Sequence, residues 1–381
     1  MHYLDHSATT PVVPEVRDLM LAYLGEDFGN PSSVHSFGRK AREAVEVARE
    51  RFAQAVGASP SEIIFTSGGT EADNLAIKGA AEKLAGHGKH IVVSAFEHHG
   101  VLDSAHYLTR HGYELTLCPV EPSGHVDPAT IAGLVRPDTT GVSVMTVNNE
   151  IGTIQDLRGI AAAVKAVNPR TLVHTDAVQA LGNVPIDLHG WGVDLAAFSG
   201  HKIGGPKGVG ACFIRSGVPV EAVIHGGGHE KGLRSGTLNV PGIAALGLAA
   251  EIAAKEVDEK AERLLVMRTR LLEGLRAIVP DVVINGAMEG RVAGNLNICI
   301  PGTEGETLLL LLDQAGFACS SGSACQSGAL DPSHVLLAIG TPRTLAQGSL
   351  RFTLGRASRD EDVDALLAAL PAIVARARKV A

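Results

Sequence analysis

Lys202 closes the step Phe198-Ser-Gly-His-Lys202, at the end of an apolar run that begins at Val193 and just ahead of the glycine-rich stretch Ile203 to Gly210. Upstream, a second apolar run, Leu172-Val-His-Thr, ends at Asp176. An amine and a carboxylate at the ends of two strands suit a cofactor that is held as an imine and whose ring nitrogen must stay protonated. Pyridoxal 5'-phosphate is such a cofactor: the lysine links to it, and the acid lets the ring act as an electron sink. Spacing favours Lys202 over Lys207 for the imine, because Lys202 lies nearer the strand end, but it leaves Lys207 open.

Other residues fall where such a cofactor needs them. Phe65-Thr-Ser-Gly-Gly-Thr-Glu-Ala72 passes from strand to helix through glycines. A helix N-terminus offers free N–H groups to a phosphate; Gly69 allows close approach and Thr70 adds a hydroxyl, although a merely capped helix start reads the same way. Ser199 and His201 are further phosphate donors. Gln179, one turn after Asp176, is placed to reach the phenolic oxygen. Asn148-Asn-Glu-Ile-Gly152 follows another strand candidate, and one of its asparagines is a candidate cofactor donor. The adjacent His98 and His99 suggest a metal, but neighbouring side chains diverge and no third ligand is evident. A histidine stacked on the ring and moving protons is the better reading.

A second signal lies in Ala318-Cys-Ser-Ser-Gly-Ser-Ala-Cys325-Gln-Ser-Gly, whose small residues cannot fill a core. The segment reads as a mobile surface loop. An exposed thiol such as Cys325 is a candidate nucleophile. The strand Ser349 to Arg356 carries Arg351 and Arg356 on opposite faces, so one of them is available for a substrate carboxylate through paired hydrogen bonds.

The elements that position these residues are legible too. Strand candidates are Glu62 to Thr66, His90 to Ser94, Glu114 to Pro119, Gly141 to Val147, Leu172 to Thr175, Val193 to Phe198 and Val209 to Arg215. Helical patterns fall between them, at Val34 to Gly57, Thr70 to Ala85 and Leu157 to Val167. The alternation predicts an α/β domain over residues 14–255 with a mostly parallel seven-stranded sheet. A charged helix from Val257 to Val279 leads to a smaller α+β domain over 256–381, carrying the cysteine loop at about 319–345. Residues 1–13 are expected to pack near that domain and the site.

Hydrophobic residues make up 45% and charged residues 19% of the 381, a globular balance. The net charge of −8 argues against broad nucleic-acid binding. No apolar run spans a bilayer and no leader pattern is present, so the expected location is cytoplasmic. The five cysteines, at 118, 212, 299, 319 and 325, do not form a disulfide framework or a zinc motif. Cys118, Cys212 and Cys299 sit in apolar runs and read as buried.

Taken together, these segments resemble the cysteine desulfurases, the NifS/IscS-like group of fold-type I pyridoxal phosphate enzymes in the class V aminotransferase superfamily. The resemblance runs nearly end to end. It covers Tyr3-Leu-Asp-His-Ser-Ala-Thr-Thr-Pro11, Asn30-Pro-Ser-Ser-Val-His35, Thr66-Ser-Gly-Gly-Thr-Glu71, Glu97-His98 and Val147-Asn-Asn-Glu-Ile-Gly152. It continues through His174-Thr-Asp-Ala-Val-Gln179, Ser199-Gly-His-Lys202, Gly226-Gly-Gly-His-Glu230, Arg234-Ser-Gly-Thr237 and Ser320-Ser-Gly-Ser-Ala-Cys325.

The resemblance implies that Lys202 forms the Schiff base, Asn149 contacts the cofactor, His98 stacks on its ring, and Arg351 binds the substrate carboxylate. Asn149 also falls at the substrate. Thr237 would reach the phosphate of a neighbouring subunit, which implies a homodimer. L-Cysteine would give L-alanine and a Cys325 persulfide, and an acceptor protein, an iron–sulfur scaffold or a thiolation relay, would take the sulfur. No intrinsic metal is implied, with Cys325 a candidate transient iron–sulfur ligand. Selenocysteine lyase and class V aminotransferase are the alternative activities. Two departures stand out: Cys319 lies six residues before Cys325, and the sequence stops at Ala381 without the longer tail that some relatives use for scaffold docking.

Overall fold

The apolar runs form the strands of one sheet, in a computed structural model that describes residues 1–321 and 332–379. Strand β1 (His2–Tyr3) is followed by β2 (Ile63–Thr66), β3 (His90–Ser94), β4 (Glu114–Cys118), β5 (Thr139–Ser143), β6 (Leu172–Asp176), β7 (Leu195–Ser199) and β8 (Gly210–Ile214). The last seven make a sheet in the order β2-β8-β7-β6-β5-β3-β4. Neighbours from β7 through β4 pair in parallel, whereas β8 runs antiparallel to both β2 and β7. Every residue of β2, β3, β6, β7 and β8 is buried, as expected for strands covered on both faces.

One strand boundary differs from the sequence reading by more than two residues. The strand expected to reach Val147 ends at Ser143. Beyond Ser143 the chain is held from the side: Val144 and Thr146 donate to the carbonyls of His174 and Asp176, and the Met145 N–H goes to the Glu97 carboxylate at 2.7 Å. Bonds to the β6 edge thus persist past Ser143, while on the side facing β3 a carboxylate replaces the strand partner.

Helices cover the sheet. Ser36–Ala55 packs Ala41, Ala44, Val45, Ala48 and Phe52 inward. It meets the almost wholly apolar helix Val240–Lys255 so closely that a Cβ on Gly247 would lie 2.5 Å from Ala48 Cα. A second apolar core gathers Leu4, Leu271, Leu275, Ile298, Leu312, Phe352 and Leu370. It lies against β9 (Val283–Ile284), β10 (Asn295–Cys299) and β12 (Ser349–Thr353), an antiparallel sheet ordered β12-β10-β9, while β11 (Phe317–Ala318) pairs with β1. Leu4 thus ties the N-terminus to this second core. Val335, Leu336, Ile339 and Ala346, although late in the chain, pack into the first. Among the described residues no helix is long and apolar enough to cross a membrane.

Candidate active site

The carboxyl ends of the parallel strands open onto a cavity of about 320 Å³. Parallel α/β sheets place their ligand crevices at this edge, because loops leaving neighbouring strand ends diverge there. β7 runs into the 3-10 turn Gly200–Lys202 and delivers Ser199, His201 and Lys202. β6 delivers Asp176, and Gln179 follows in the next turn. β2 leads into the helix Gly69–Lys83, whose N-cap Gly68 carries no side-chain cap, so its first turn is open to an anion. A Cβ on Gly210 would lie 2.7 Å from Gly68 Cα and 2.5 Å from the Phe198 carbonyl, so the β8 backbone is pressed directly beneath that turn.

Ten expected residues line this one cavity: Gly69, Thr70, His98, Asn149, Asp176, Gln179, Ser199, His201, Lys202 and Arg351. Lys207 is exposed and is not part of the lining, so the geometry separates the two lysines that spacing left open. Arg356 lies away from this cavity, exposed and paired with Glu256 at 2.9 Å. Thr237 is also exposed and outside the lining. Cys325 lies outside the described residues.

The N-terminal segment crosses the cavity. Lys202 Nζ donates to the carbonyls of Ser7 at 2.5 Å and Ala8 at 2.8 Å, and Gln179 Nε2 donates to Ser7 O at 2.9 Å. His201 accepts Thr10 N–H and Oγ1–H on its carbonyl, each at 2.9 Å. Arg351, almost fully buried, donates to Asn149 O at 2.9 Å and to the Asp5 carboxylate at 2.7 Å. An adjoining cavity of about 380 Å³ shares Ser7, Gln179 and Lys202 with the first but has none of its strand-end acids.

Electrostatics follow from burial. Asp176 accepts Val178 N–H at 2.9 Å; burial pushes its carboxyl up from the ordinary value, and His98 and Lys202 pull it back. His98 Nδ1 accepts Gly100 N–H at 3.0 Å, so in the neutral ring the proton sits on Nε2. Burial first, then the charges of Lys202 and His99, hold His98 below the usual histidine range against the pull of Asp176. Burial also takes His201 down to about 4. Both imidazoles are therefore neutral at pH 7.

Asp73, Glu97, Glu150, Ser333 and His334, in the lining or just behind it, escaped the sequence reading as site groups. Asp73 and Glu150 line the cavity, and Glu97 is wholly buried behind it, with burial raising its carboxyl to about 8. His334 bonds Glu97 O at 2.9 Å, and its ring centre lies 5.0 Å from that of His99. The neighbouring Ser333 Oγ donates to the Glu150 carboxylate at 2.5 Å. A sequence signal existed for Asp73, which lies four residues after Gly69 and so on the same helix face. None existed for Ser333 and His334, which reach the site only through the tertiary fold.

The family model described as Aminotransferase class-V matches residues 2–366. The chain belongs to that family, among its NifS/IscS-like cysteine desulfurases. It is 48% identical over 378 residues to the cysteine desulfurase IscS of Methanosarcina thermophila, covering 99% of this chain and 93% of the relative. A solved NifS-like protein superposes with a TM-score of 0.93 at 40% identity, covering 99% and 100% of the two chains. SspA, solved in complex with cysteine, superposes at 0.82 with 32% identity over 94% and 100%.

Enzymes of this family depend on pyridoxal phosphate, and the cavity fits that group. It combines an uncapped helix N-terminus, a buried acid, a lysine amine, and Asn149 Oδ1, which is buried without a hydrogen-bond partner among the described residues.

Proposed function

We propose that the chain is a pyridoxal phosphate-dependent cysteine desulfurase that converts L-cysteine to L-alanine and leaves the sulfur as a persulfide on Cys325. The observation that carries this is the convergence of Lys202, Asp176, Asn149, His98 and Arg351 on one cavity in a chain nearly half identical to IscS desulfurases. When bound, the cofactor supplies an electron sink that activates the substrate's Cβ–S bond.

The chain's own groups do the rest. Lys202 holds the cofactor and then serves, through Nζ, as the base for the substrate Cα proton. Asp176 holds the ring nitrogen protonated. Gly69, Thr70, Ser199 and His201 hold the phosphate, with Asn149 and Gln179 on the ring edge. Arg351 binds the substrate carboxylate, and Asp5 and Asn149 O fix the plane of its guanidinium. His98, neutral with its proton on Nε2, exchanges protons with the substrate thiol. The Cys325 thiolate attacks the substrate sulfur; the S–S bond forms as Cβ–S breaks, and the bonding electrons stay with the carbon fragment that leaves as alanine.

We assign residues 14–255 to a cofactor-binding domain, whose core Val335, Leu336, Ile339 and Ala346 join from later in the chain. Residues 256–381 form a smaller domain to which residues 1–13 add. The enzyme works in the cytoplasm as a homodimer, with Thr237 reaching the partner's cofactor phosphate. Its sulfur goes to an acceptor protein, an iron–sulfur scaffold or a thiolation relay.

The test is alanine and sulfide formation from L-cysteine with a thiol reductant, comparing wild type with Cys325→Ala. Alanine from wild type alone is expected. Equal alanine from both would overturn the persulfide role and indicate a lyase. None from either, with cofactor bound, would indicate transamination.

A further inference from the structure

Asp73 lines the cavity, yet the proposed function leaves its chemistry unused. It is 1% exposed and sits one helical turn past Gly69 and Thr70. Its carboxylate gathers with Asp176 and His98 so that one ligand-type atom of each lies within 4.8 Å of the others. Gly100 makes room for it: a Cβ there would stand 2.8 Å from Asp73 Oδ2 and 3.1 Å from His98 Nδ1. Asp73 Oδ1 has no hydrogen-bond partner among the described residues.

The titratable groups facing Asp73 are Asp176 and His174 from β6, His98 and Glu97 from the β3 connection, and Cys212 from β8. None of them offers it a positive charge. His174 Nε2 is 3.5 Å away, but burial pushes that ring down to about 3, so it is neutral, with Nδ1 engaged by Ser143 Oγ at 2.8 Å. Burial, followed by Asp176 and Glu97, drives the Asp73 carboxyl far above its ordinary range. Asp176 differs: it accepts the Val178 N–H and is drawn down by the charge of Lys202. Two ionised carboxylates this close in a dry pocket would repel each other, so one proton settles on the acid with less support.

We propose that Asp73 is a positioning residue that shares a proton with Asp176 and so fixes the pair's single negative charge on Asp176, where the ring nitrogen of the bound cofactor needs it. The proposal rests on the pyridoxal phosphate reading of the site. The proton stays on Asp73, whose carboxylate lies within 4.8 Å of that of Asp176. Without that donor, Asp176 takes up a proton itself more readily, and the charge facing the ring nitrogen is lost.

The experiment compares wild type, Asp73→Ala and Asp73→Asn as full-length protein. The difference infrared spectrum of wild type minus Asp73→Asn, recorded with and without cofactor at neutral pH, is expected to show the carbonyl stretch of a protonated carboxyl. In the loaded enzyme, Asp73→Ala is expected to weaken pyridoxal phosphate binding by about tenfold and to shift the pH midpoint of the bound-cofactor absorption band. Asp73→Asn, a neutral donor of the same shape, recovers binding to within about threefold and restores the midpoint. An infrared difference showing an ionised carboxylate, or an Asn variant as impaired as Ala, overturns the proposal, as does an Ala variant with unchanged midpoint and affinity. A wild type that takes up no cofactor would instead refute the cofactor reading, and the infrared result on the unloaded protein would still decide the state of Asp73.

Discussion

Arg351 illustrates how little a single residue type says until its neighbours are known. Spacing left it one of two arginines on a strand, and only the family resemblance chose it; in the fold it is buried, with its guanidinium edges against Asp5 and Asn149 O, while Arg356 faces out to Glu256. A planar fork held in this way grips a carboxylate through two bonds that an ammonium cannot reproduce. Arg351→Lys is therefore expected to raise KM for cysteine about 10- to 100-fold, on the order of 1.5–3 kcal/mol for a lost charged hydrogen bond, with a smaller change in kcat. Steady-state kinetics decide it; a fall in kcat with KM unchanged would place Arg351 elsewhere in the cycle.

Cys319 is the second residue the structure clarifies. Burial, followed by the Asp5 charge, pushes its thiol up to about 12, so it stays protonated at pH 7–8 and is a poor sulfur acceptor. Under native conditions iodoacetamide should label Cys325 well before Cys319, as peptide mass spectrometry would show. Comparable labelling of both would reopen a relay between them.

At the scale of elements, the site depends on backbone pressed close to backbone. Gly210 on β8 lies so near Gly68 and the Phe198 carbonyl that a methyl group has nowhere to go. Gly210→Ala must push the Gly68 turn away from β7, moving the open helix N-terminus relative to Ser199. The expected cost is roughly 1–3 kcal/mol of stability, as for other overpacked positions, seen as a lower Tm together with weaker pyridoxal phosphate binding. A variant with wild-type melting and cofactor affinity would show that the two strands can separate there freely. A buried ion pair fixes another element: Glu230 accepts both Arg49 Nη atoms, at 2.9 Å and 2.7 Å, and Phe65 N–H at 2.7 Å. This pins the segment leading to Thr237 onto β2.

At the scale of the whole molecule, one surface lacks cover. Leu24, Phe28, Val34 and Phe37 are each more than half exposed, and the Phe28 and Phe37 rings lie 5.5 Å apart. Ser32, in the same stretch, bonds His229 at 3.3 Å, which joins this patch to the segment carrying the exposed Thr237. Apolar patches of this kind seldom stay open to water. Light scattering is expected to give a dimer for wild type. Phe28→Asp with Phe37→Asp is expected to give a monomer with weakened cofactor affinity, since Thr237 would then lose the partner's phosphate. A monomeric wild type with full cofactor affinity would contradict the shared site.

What the sequence determined by itself is what short-range chemistry dictates. Apolar runs of strand length, separated by amphipathic helices, specify a parallel α/β sheet, and the residues at the run ends, Asp176 and Lys202, are placed by that alternation alone. The glycines before Thr70 allow an anion site, although a capped helix start reads the same way. What only the tertiary structure decided is which side chains meet. The family resemblance had already chosen Lys202 over Lys207 and Arg351 over Arg356, and the fold gives the reason, since a turn and a strand face bring those two to the cavity. Ser333 and His334 reach Glu150 and Glu97 across more than 180 residues of chain, and Ser7 crosses to Lys202 from the far end of the sequence. Past Ser143 the side facing β3 pairs with a carboxylate instead of a strand, because Glu97 takes the Met145 N–H. Local sequence fixes backbone preference and periodicity, but the burial that sets which acid holds a proton is a property of atoms packed from distant segments.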